Sequence, residues 1–534
     1  MGMEEAIERA AASGFSVKAV LRFMVILPAV LLPLLLAGAR PWFWAPVAAI
    51  FLLGVAVSLA GDWSSLRNRP LFNGWVLIWG LILLYPFLQL VPIPMASLLA
   101  LDPPRAVWIE RADAVARMSS GASSITYVPL ITLFSGFWWL FLAGYGLVFS
   151  KTAGAEKRPE WLFRLLFILA GFEAFYGLLQ VLIPSLGVIG EAKGAGLARG
   201  TFVNRNHYAA FLGMVWPLML VYLLRMGGSA RSGAWPSDTG SFQVTEKQRQ
   251  VRQKQWFLGF VIGLVLLALF FSQSRGGITG SLVALTVLVS FKSIRRKSML
   301  ILVLGCWAVM LGYGSIIGFD EILARFDMIE ESAPSRFMLW QDTMHMIKDH
   351  PWLGTGLGSF ATVFRLYQTH LGETLHASHA HSDYLELAAE LGVPLAAGLA
   401  VLVWGYWWRV AWRLRSWEHR FVSKGQEGRD GSKAISRASD RERRQEMLRE
   451  AKGEGGPSSE AASAGRADLS GMTRGSGEYD RERHLMAVGA LAGSAAFLCH
   501  SWVEFNWQIP ANQLYFVILL VLMRFKVLSL ARRS

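Results

Sequence analysis

Residues 256–291 read WFLGFVIGLVLLALFFSQSRGGITGSLVALTVLVSF, which is two apolar runs separated by the polar segment SQSRGG. A helix needs about 20 mostly apolar residues to cross a bilayer. The runs 256–272 and 277–291 are slightly shorter than this, but neither contains a charged residue. We therefore expect two membrane helices, with Arg275 at the membrane surface between them.

The rest of the chain has the same character. Its 534 residues are 53% hydrophobic and 17% charged, whereas about 25% of the residues of a soluble globular protein are charged. The sequence therefore predicts an all-α polytopic membrane protein with about 12 transmembrane helices. The candidate spans centre on 20–38, 42–60, 74–94, 128–149, 162–183, 207–224, 256–272, 277–291, 299–318, 384–412, 486–504 and 510–528.

The net charge of +14 would suggest a nucleic-acid partner if the protein were soluble. Here most Lys and Arg residues lie between apolar blocks, where they set the topology of a membrane protein, so we expect no nucleic acid. Cys306 and Cys499 both lie inside apolar segments. This excludes a disulfide framework and a CxxC metal or redox motif.

The basic residues of 225–255 and 292–297 set the predicted orientation, because Lys and Arg accumulate on the cytoplasmic side. With about 12 helices, this rule places both termini in the cytoplasm. Five connections are then expected on the outer side of the membrane. They are 95–127, 184–206, 273–276, 319–383 and 505–509.

The predicted organisation has five parts: helices one to nine, an outer cap, helix ten, a cytoplasmic insertion, and the last two helices with a cytoplasmic tail. The cap is expected to be helical, because apolar residues from Arg336 to Ile347 recur at helical spacing. The insertion is rich in charged and small residues, so we expect it to be disordered. The parts are 1–318, 319–383, 384–412, 413–485 and 486–534.

Arg275 is the first candidate for chemistry, because an ionisable residue at the membrane edge is costly. Its small neighbours let a large anion approach the backbone, and a guanidinium group matches phosphate oxygens. An interfacial arginine that reaches the lipid headgroups is the alternative.

The second candidate segment precedes the sixth predicted span. Arg199, Asn204, Arg205 and Asn206 together offer neutral donors and two positive charges, as the binding of a sugar or a phosphate requires. The alternative is an asparagine-capped helix start with ordinary headgroup contacts.

The third segment contains Arg336 and the sequence HPWLGTGLG at 350–358. No strand precedes these glycines, and the segment is expected outside the cell, so a nucleotide-binding loop is excluded. We expect a turn after a helix that ends before Pro351, with glycines in unusual backbone conformations.

The fourth segment is HASHAHSDYLE at 376–386. A helix that begins near Ser378 would place His379, Asp383, Glu386 and Glu390 on one face. Such carboxylates are expensive at a membrane entrance unless they line a wet cavity, and a histidine there is suited to accept a hydroxyl proton.

Three histidines and an aspartate also fit a metal site in part, but the spacing matches no standard zinc motif, so we expect no metal. A polar helix start at the membrane surface is the other alternative. His500, Glu504 and Asn506 follow near the end of the eleventh span and are expected either to line the same cavity or to cap a turn.

Taken in order, these elements resemble the O-antigen ligase and polymerase superfamily of bacterial membrane glycosyltransferases. The resemblance covers about residues 195–400 and rests on SRGG at 274–277, Arg336-Phe-x-x-Trp340, the glycine segment at 350–358, and the sequence HAHSDYL at 379–385. His381-Ser382 and Gly392 also follow the spacing of the ligases, whereas Leu395 departs from it.

The resemblance implies a glycosyltransferase fold of the C type that uses no cofactor, metal or nucleotide sugar. The implied donor is a glycan on undecaprenyl pyrophosphate in the bacterial inner membrane, and the acceptor is a hydroxyl of lipid A core or of another glycan at the periplasmic face. Membrane lipids are the remaining partners.

By the same resemblance, Arg275 and Arg336 stabilise the leaving pyrophosphate, with Arg205 and Arg199 as weaker candidates. His381 orients or deprotonates the acceptor hydroxyl in a single inverting displacement. Asn204, Asn206, His379, Asp383 and Glu390 are expected to bind substrate.

Three alternatives remain. A polymerase that extends repeat units belongs to the same superfamily, and a protein O-glycosylating relative shares its chemistry. A polysaccharide transporter or flippase is expected to show internal repeats and broken helices. No such repeat is evident, and the polar residues gather on one predicted side of the membrane.

Overall fold

The computed structural model of this protein is mostly helical. It describes residues 17–61, 74–155, 159–189, 196–231, 246–294, 305, 336–369, 377–419 and 467–531.

The first half of the chain contains eight of the described helices. They are α1 (Val17–Leu34), α2 (Pro41–Gly61), α3 (Gly74–Leu88), α4 (Met95–Leu101), α5 (Pro103–Ala116), α6 (Pro129–Ala155), α7 (Glu160–Leu182) and α8 (Arg205–Arg231).

The second half contains eight more, together with short 3-10 turns at Phe364–Leu366 and Asn506–Gln508. The helices are α9 (Glu246–Phe271), α10 (Arg275–Ser290), α11 (Arg336–Asp349), α12 (Phe360–Val363), α13 (Asp383–Leu391), α14 (Val393–His419), α15 (Ala467–His500) and α16 (Pro510–Ala531).

Five of the described helices, α6, α7, α8, α9 and α14, are long and apolar enough to cross a membrane. Four shorter apolar helices occupy Ala19–Leu34, Pro41–Gly54, Arg275–Ser290 and Pro510–Met523. The chain is therefore a multi-pass helical membrane protein. The total of about 12 spans stays a prediction, since the ninth, 299–318, lies almost entirely outside the described residues.

The centre of the helical assembly is α8, which is mostly buried and packs against α9, α10 and α15. Small residues allow this close packing. A Cβ atom added at Gly493 of α15 would lie 2.3 Å from the carbonyl oxygen of Met214 in α8, and one at Gly280 of α10 would lie 2.8 Å from the carbonyl oxygen of Ala496.

The predicted tenth span, 384–412, is divided in the structure. The chain bends at Gly392, which has a φ of 81°, a left-handed conformation that glycine adopts without steric cost. Pro394 then occupies the first turn of α14, where the lack of an N–H group costs little. The backbone N–H of Val393 donates to the Pro351 carbonyl at 2.8 Å and anchors the bend.

The prediction of disorder across 413–485 is wrong at both ends of that range. Residues up to His419 continue α14, and residues from Ala467 onward begin α15, while 420–466 lie outside the described residues. Tertiary contacts support the extension of α14. The carboxylate of Glu418 accepts hydrogen bonds from the backbone N–H groups of Lys292 and Ser293, at 2.9 and 3.0 Å.

The predicted third span, 74–94, ends early because Pro92 and Pro94 interrupt it. Residues Pro92–Pro94 form a strand, β1, that pairs antiparallel with β2 (Ala122–Ser124). This small ladder is a departure from an all-α fold. It also closes the 95–127 connection, which folds into α4 and α5.

The described parts of the five connections predicted on the outer side lie together at one end of the helices. His350 of the cap contacts Asp102 of the 95–127 connection, and Asp383 contacts the backbone N–H of Trp507. Asn206 reaches Glu504, and Gly276 lies against His500. This convergence is what the predicted alternation of spans requires, and it creates the candidate active site.

Candidate active site

The carboxylate of Glu504 is the centre of the site. Glu504 lies beyond the end of α15, and its side chain is only 1% exposed. Asn206 donates to it at 2.6 Å, and His381 Nδ1 lies 3.3 Å from its second oxygen. Arg336 forms an ion pair with it. Three segments far apart in the sequence are thereby joined at one carboxylate.

The charge of Glu504 is favoured in this position. Burial raises its pKa, but the hydrogen bond with His381 and the positive charge of Arg336 outweigh burial, so the pKa lies below its ordinary value. Glu504 is therefore ionised at neutral pH and holds its donors through charge-assisted hydrogen bonds.

The two partners that are expected to meet substrate are only partly covered. The side chain of Arg336 is 43% exposed and that of His381 is 32% exposed. Trp340, one turn after Arg336, donates its indole N–H to the Ala380 carbonyl at 3.0 Å. This bond fixes α11 against the segment that carries His381.

Phe505 brings three histidines together. His379 stacks on its ring with centroids 4.0 Å apart, and the rings of His207 and His381 meet it edge-on at 4.5 and 4.9 Å. Sequence reasoning missed Phe505, because one phenylalanine in a chain this apolar carries no signal. Glu504 was predicted only as one of three residues expected either to line the cavity or to cap a turn.

The helix that follows His381 begins later than predicted. It starts at Asp383, with Ser382 as the N-cap, rather than near Ser378. His379 therefore lies in a loop, but it still reaches Glu386, at 2.9 Å from Nδ1. His381 itself has a φ of 50°, a left-handed conformation that is uncommon for a residue with a side chain.

Asp383 and Glu390 contact backbone groups. Both carboxylate oxygens of Asp383 accept from the backbone N–H of Trp507 at 2.9 Å. Glu390 accepts from the backbone N–H of Phe360 at 3.0 Å. The two side chains are 3% and 1% exposed, so in this structure they hold loops in place, and their contact with substrate stays a prediction.

The glycine segment forms the expected turn after Pro351. Gly354, Gly356 and Gly358 all have left-handed φ angles, of 67°, 110° and 79°. A Cβ atom at Gly354 would lie 2.3 Å from the Glu390 carbonyl oxygen. The turn thus packs directly on the C-terminal end of α13, the helix that follows His381.

Arg275 is the first residue of α10 and is exposed. Ser274 caps the helix by accepting from the Gly277 N–H at 3.2 Å, and Gln273 before it has a φ of 52°. A Cβ atom at Gly276 would lie 2.5 Å from the His500 ring. The absence of a side chain there lets Arg275 begin its helix beside the segment that leads to Glu504.

The segment before α8 is joined to the same region. The backbone N–H of Ala198 donates to the Phe271 carbonyl at 3.2 Å, just before Arg275. Arg199 donates its backbone N–H to Gln180 at 3.0 Å, and its Nε is buried without a hydrogen-bond partner among the described residues. Arg199 therefore lies near the site, outside the Glu504 cluster.

The predicted helix start at Asn204 is present. Its side-chain oxygen accepts from the backbone N–H of Asn206 at 2.8 Å, and Arg205 is the half-buried first residue of α8. Of this predicted group, Asn206 is the residue that joins Glu504. Across the part of the chain that the structure describes, no group of three or more His, Cys, Asp or Glu is arranged to hold a metal ion.

The comparisons with known proteins point to one family. A family model described as O-antigen ligase matches residues 260–401, a range that includes Arg275, Arg336 and His381. No curated protein matches the chain at a significant level. Residues 260–401 thus form an O-antigen ligase family domain within a multi-pass membrane protein, and this range contains the motifs on which the predicted resemblance rests.

Proposed function

We propose that this protein transfers a glycan from undecaprenyl pyrophosphate to a hydroxyl of lipid A core or of another glycan. The reaction takes place at the periplasmic face of the bacterial inner membrane, with both termini of the enzyme in the cytoplasm. It proceeds as a single inverting displacement without a metal or another cofactor.

The observation that carries this proposal is the meeting of Arg336 and His381 on the buried carboxylate of Glu504. Both residues belong to the O-antigen ligase family domain. A general base and a cation for the leaving group are the two functions that this displacement needs.

His381 is the proposed base. When its Nδ1–H donates to Glu504, its Nε2 carries a lone pair that accepts the proton of the acceptor hydroxyl. The hydroxyl oxygen bonds to the anomeric carbon of the donor as the bond from that carbon to the phosphate oxygen breaks. Glu504 fixes the tautomer of the ring and stabilises the positive charge that it gains.

Arg336 and Arg275 are the proposed binders of the pyrophosphate. Negative charge grows on the phosphate oxygens as the bond breaks, and fixed guanidinium donors stabilise that charge. Arg336 uses one nitrogen for Glu504, and a guanidinium has five N–H donors, so others remain for phosphate. Arg205 and Arg199 contribute more weakly to the same electrostatic field.

The remaining predicted residues are proposed to position substrate. Asn206 and His379 line the Glu504 cluster, and Asn204 holds the start of α8 beneath them. Asp383 and Glu390 act through the loops that they hold.

The test is deletion of the gene, with complementation by wild type and by Arg275→Ala. Bare lipid A core together with long lipid-linked chains identifies a ligase. Accumulation of single lipid-linked repeat units identifies a polymerase, the second activity that the superfamily allows. Arg275→Ala is expected to insert normally and to restore neither product.

Unchanged surface glycan and unchanged lipid-linked intermediates in the deletion strain would overturn the proposal. Full complementation by Arg275→Ala would remove that arginine from the mechanism. The matched control is Arg164→Ala, an exposed arginine of α7 outside the O-antigen ligase family domain, which is expected to complement fully.

A further inference from the structure

Tryptophan and glutamine side chains line a cavity of about 120 Å³ next to the Glu504 cluster. The wall is built from α2, α6, α16, the Asn506–Gln508 turn and the end of the glycine segment at Leu357 and Gly358. We name it the tryptophan cavity. The lining residues used here are Trp44, Trp138, Trp139, Trp507, Gln508 and Gln513.

Two residues that line the tryptophan cavity carry unsatisfied hydrogen-bond donors. The indole Nε1 of Trp507 and the amide Nε2 of Gln508 are buried and have no partner among the residues that the structure describes. The Trp138 indole N–H, in contrast, donates to the side chain of Gln513. An unmade hydrogen bond at a buried donor is costly, so both free donors indicate a site for an acceptor.

The tryptophan cavity is held rigidly and touches the site. The backbone N–H of Trp507 donates to Asp383 at 2.9 Å, two residues after His381. The Trp507 ring packs edge-on against Phe516, with centroids 5.9 Å apart, and Trp44 packs on Trp138 at 4.9 Å. A ligand in this cavity would therefore contact Trp507, whose backbone is hydrogen-bonded to the helix that begins two residues after the proposed base.

The lining chemistry selects the ligand class. Aromatic rings stack on the apolar faces of a sugar ring, while indole and amide N–H groups donate to its hydroxyls. The residues found to line the cavity include no Lys, Arg, Asp or Glu, so it lacks the charge that binds phosphate. A lipid chain would leave both donors unpaired.

We propose that the tryptophan cavity binds one neutral sugar ring of a glycan substrate. About 10–15 Å³ of such volume holds one water, so a cavity of about 120 Å³ holds roughly ten waters. One sugar ring fits in the space that these waters would fill. The inference rests on the proposed glycan transfer, which brings sugar rings to this end of the protein. The ring belongs either to the acceptor or to the donor glycan.

The first experiment separates these two sources. Transfer is measured with full-length protein in nanodiscs while the acceptor and the donor are varied in turn. Gln508→Leu and Trp507→Phe are each expected to raise KM for one of the two by about tenfold, with kcat nearly unchanged. The substrate whose KM changes is the one whose ring binds in the tryptophan cavity.

Trp412→Phe is the matched control, because Trp412 lies on α14 and is 69% exposed. Its kinetics are expected to equal those of wild type. An unchanged KM for both substrates in well-folded Gln508→Leu and Trp507→Phe would overturn the inference. A fall in kcat alone, with KM unchanged, would do so as well.

A binding experiment keeps the inference separate from the proposed function. Saturation-transfer NMR is run with methyl glucoside, methyl galactoside and N-acetylglucosamine, on wild type and on Arg275→Ala. Transfer to at least one neutral sugar is expected in both proteins and is expected to be lost in the Trp507→Phe, Gln508→Leu double variant.

Glucose 6-phosphate and farnesol serve as charged and lipid comparisons. Saturation of farnesol, with no sugar saturated, would overturn the inference even if glycan transfer is observed. Sugar binding by a protein that transfers no glycan in any assay would support the cavity and overturn the proposed function instead.

Discussion

Among the histidine–carboxylate contacts at this end of the protein, two differ most clearly in what surrounds them. In one, His381 meets Glu504 and is 32% exposed. In the other, His350 lies 2.9 Å from Asp102, and its side chain is 0% exposed. The chemistry of the pair is the same in both, so the difference in surroundings decides what each histidine can do.

His350 and Asp102 are both buried, and both nitrogens of the His350 ring have a partner. Nδ1 faces the Asp102 carboxylate, while Nε2 lies 3.1 Å from the Tyr367 hydroxyl and 3.4 Å from that of Tyr127. Asp102 also accepts the Arg105 backbone N–H and so caps α5. No nitrogen of this ring is left for a substrate, and the cluster joins the 95–127 connection to the cap.

His381 has the opposite arrangement. Its Nδ1 is occupied by Glu504, and the ring is partly exposed, so Nε2 is left for chemistry. The comparison teaches that exposure and an unused nitrogen, rather than the pairing itself, distinguish a candidate base from a structural joint.

The largest expected effect is on His381→Ala. Loss of the general base should lower the rate of transfer by about 10²–10⁴-fold, while the melting temperature in detergent falls less than for His350→Ala, because water can take the place of the partly exposed ring beside Glu504. Steady-state kinetics and thermal unfolding on one preparation measure both. A fully active variant would place the base elsewhere.

A slightly smaller loss is expected for Arg336→Ala, at about 10²–10³-fold in kcat. Arg336→Lys keeps the charge but loses the planar fork, so it should recover part of the rate. If the lysine variant is as slow as the alanine variant and both unfold early, the role of Arg336 is to neutralise Glu504 and not to bind pyrophosphate.

His350→Ala should show the reverse pattern. It leaves Asp102 buried without one partner, which costs about 1–3 kcal/mol of stability. The melting temperature should fall, while the rate per folded molecule changes little. A variant of normal stability with little transfer would contradict the separation of the two clusters.

The smallest expected effect is on pH dependence. The pKa of Glu504 lies below its ordinary value of 4.5, so its contribution to stability is complete above that value and is lost as the pH falls through the lowered pKa. The difference in melting temperature between wild type and Glu504→Gln should therefore be constant from about pH 7 to about pH 5 and shrink below that range. A difference that shrinks already near neutral pH would mean that the pKa is raised instead.

The sequence predicted local elements well where residues close together in the chain determine the start or the end of a helix. The helix from Arg336, the short helix after SRGG and the turn after Pro351 depend on nearby residues and agree with the structure. The start of α13 was placed too early because Ser378 and Ser382 are equally good caps by type. Long-range contact with Ser501 and Glu504 through the Asp383 N–H selects the second.

The sequence predicted which residues belong to the site better than it predicted what each side chain does there. Asp383 and Glu390 have the residue types of substrate ligands, yet each faces backbone N–H groups from a distant loop. The central position of Glu504 depends on residues about 120 to 300 positions away, and no local pattern encodes such a meeting.

The left-handed backbone at His381 has a consequence for engineering. Holding a residue with a side chain in this conformation costs on the order of 1 kcal/mol, and glycine would remove that cost. A selection for thermostability alone would thus favour glycine at 381 and discard the proposed base. Thermal stability and catalytic rate therefore make opposite demands on this one position, so a stabilised variant of the protein has to keep His381.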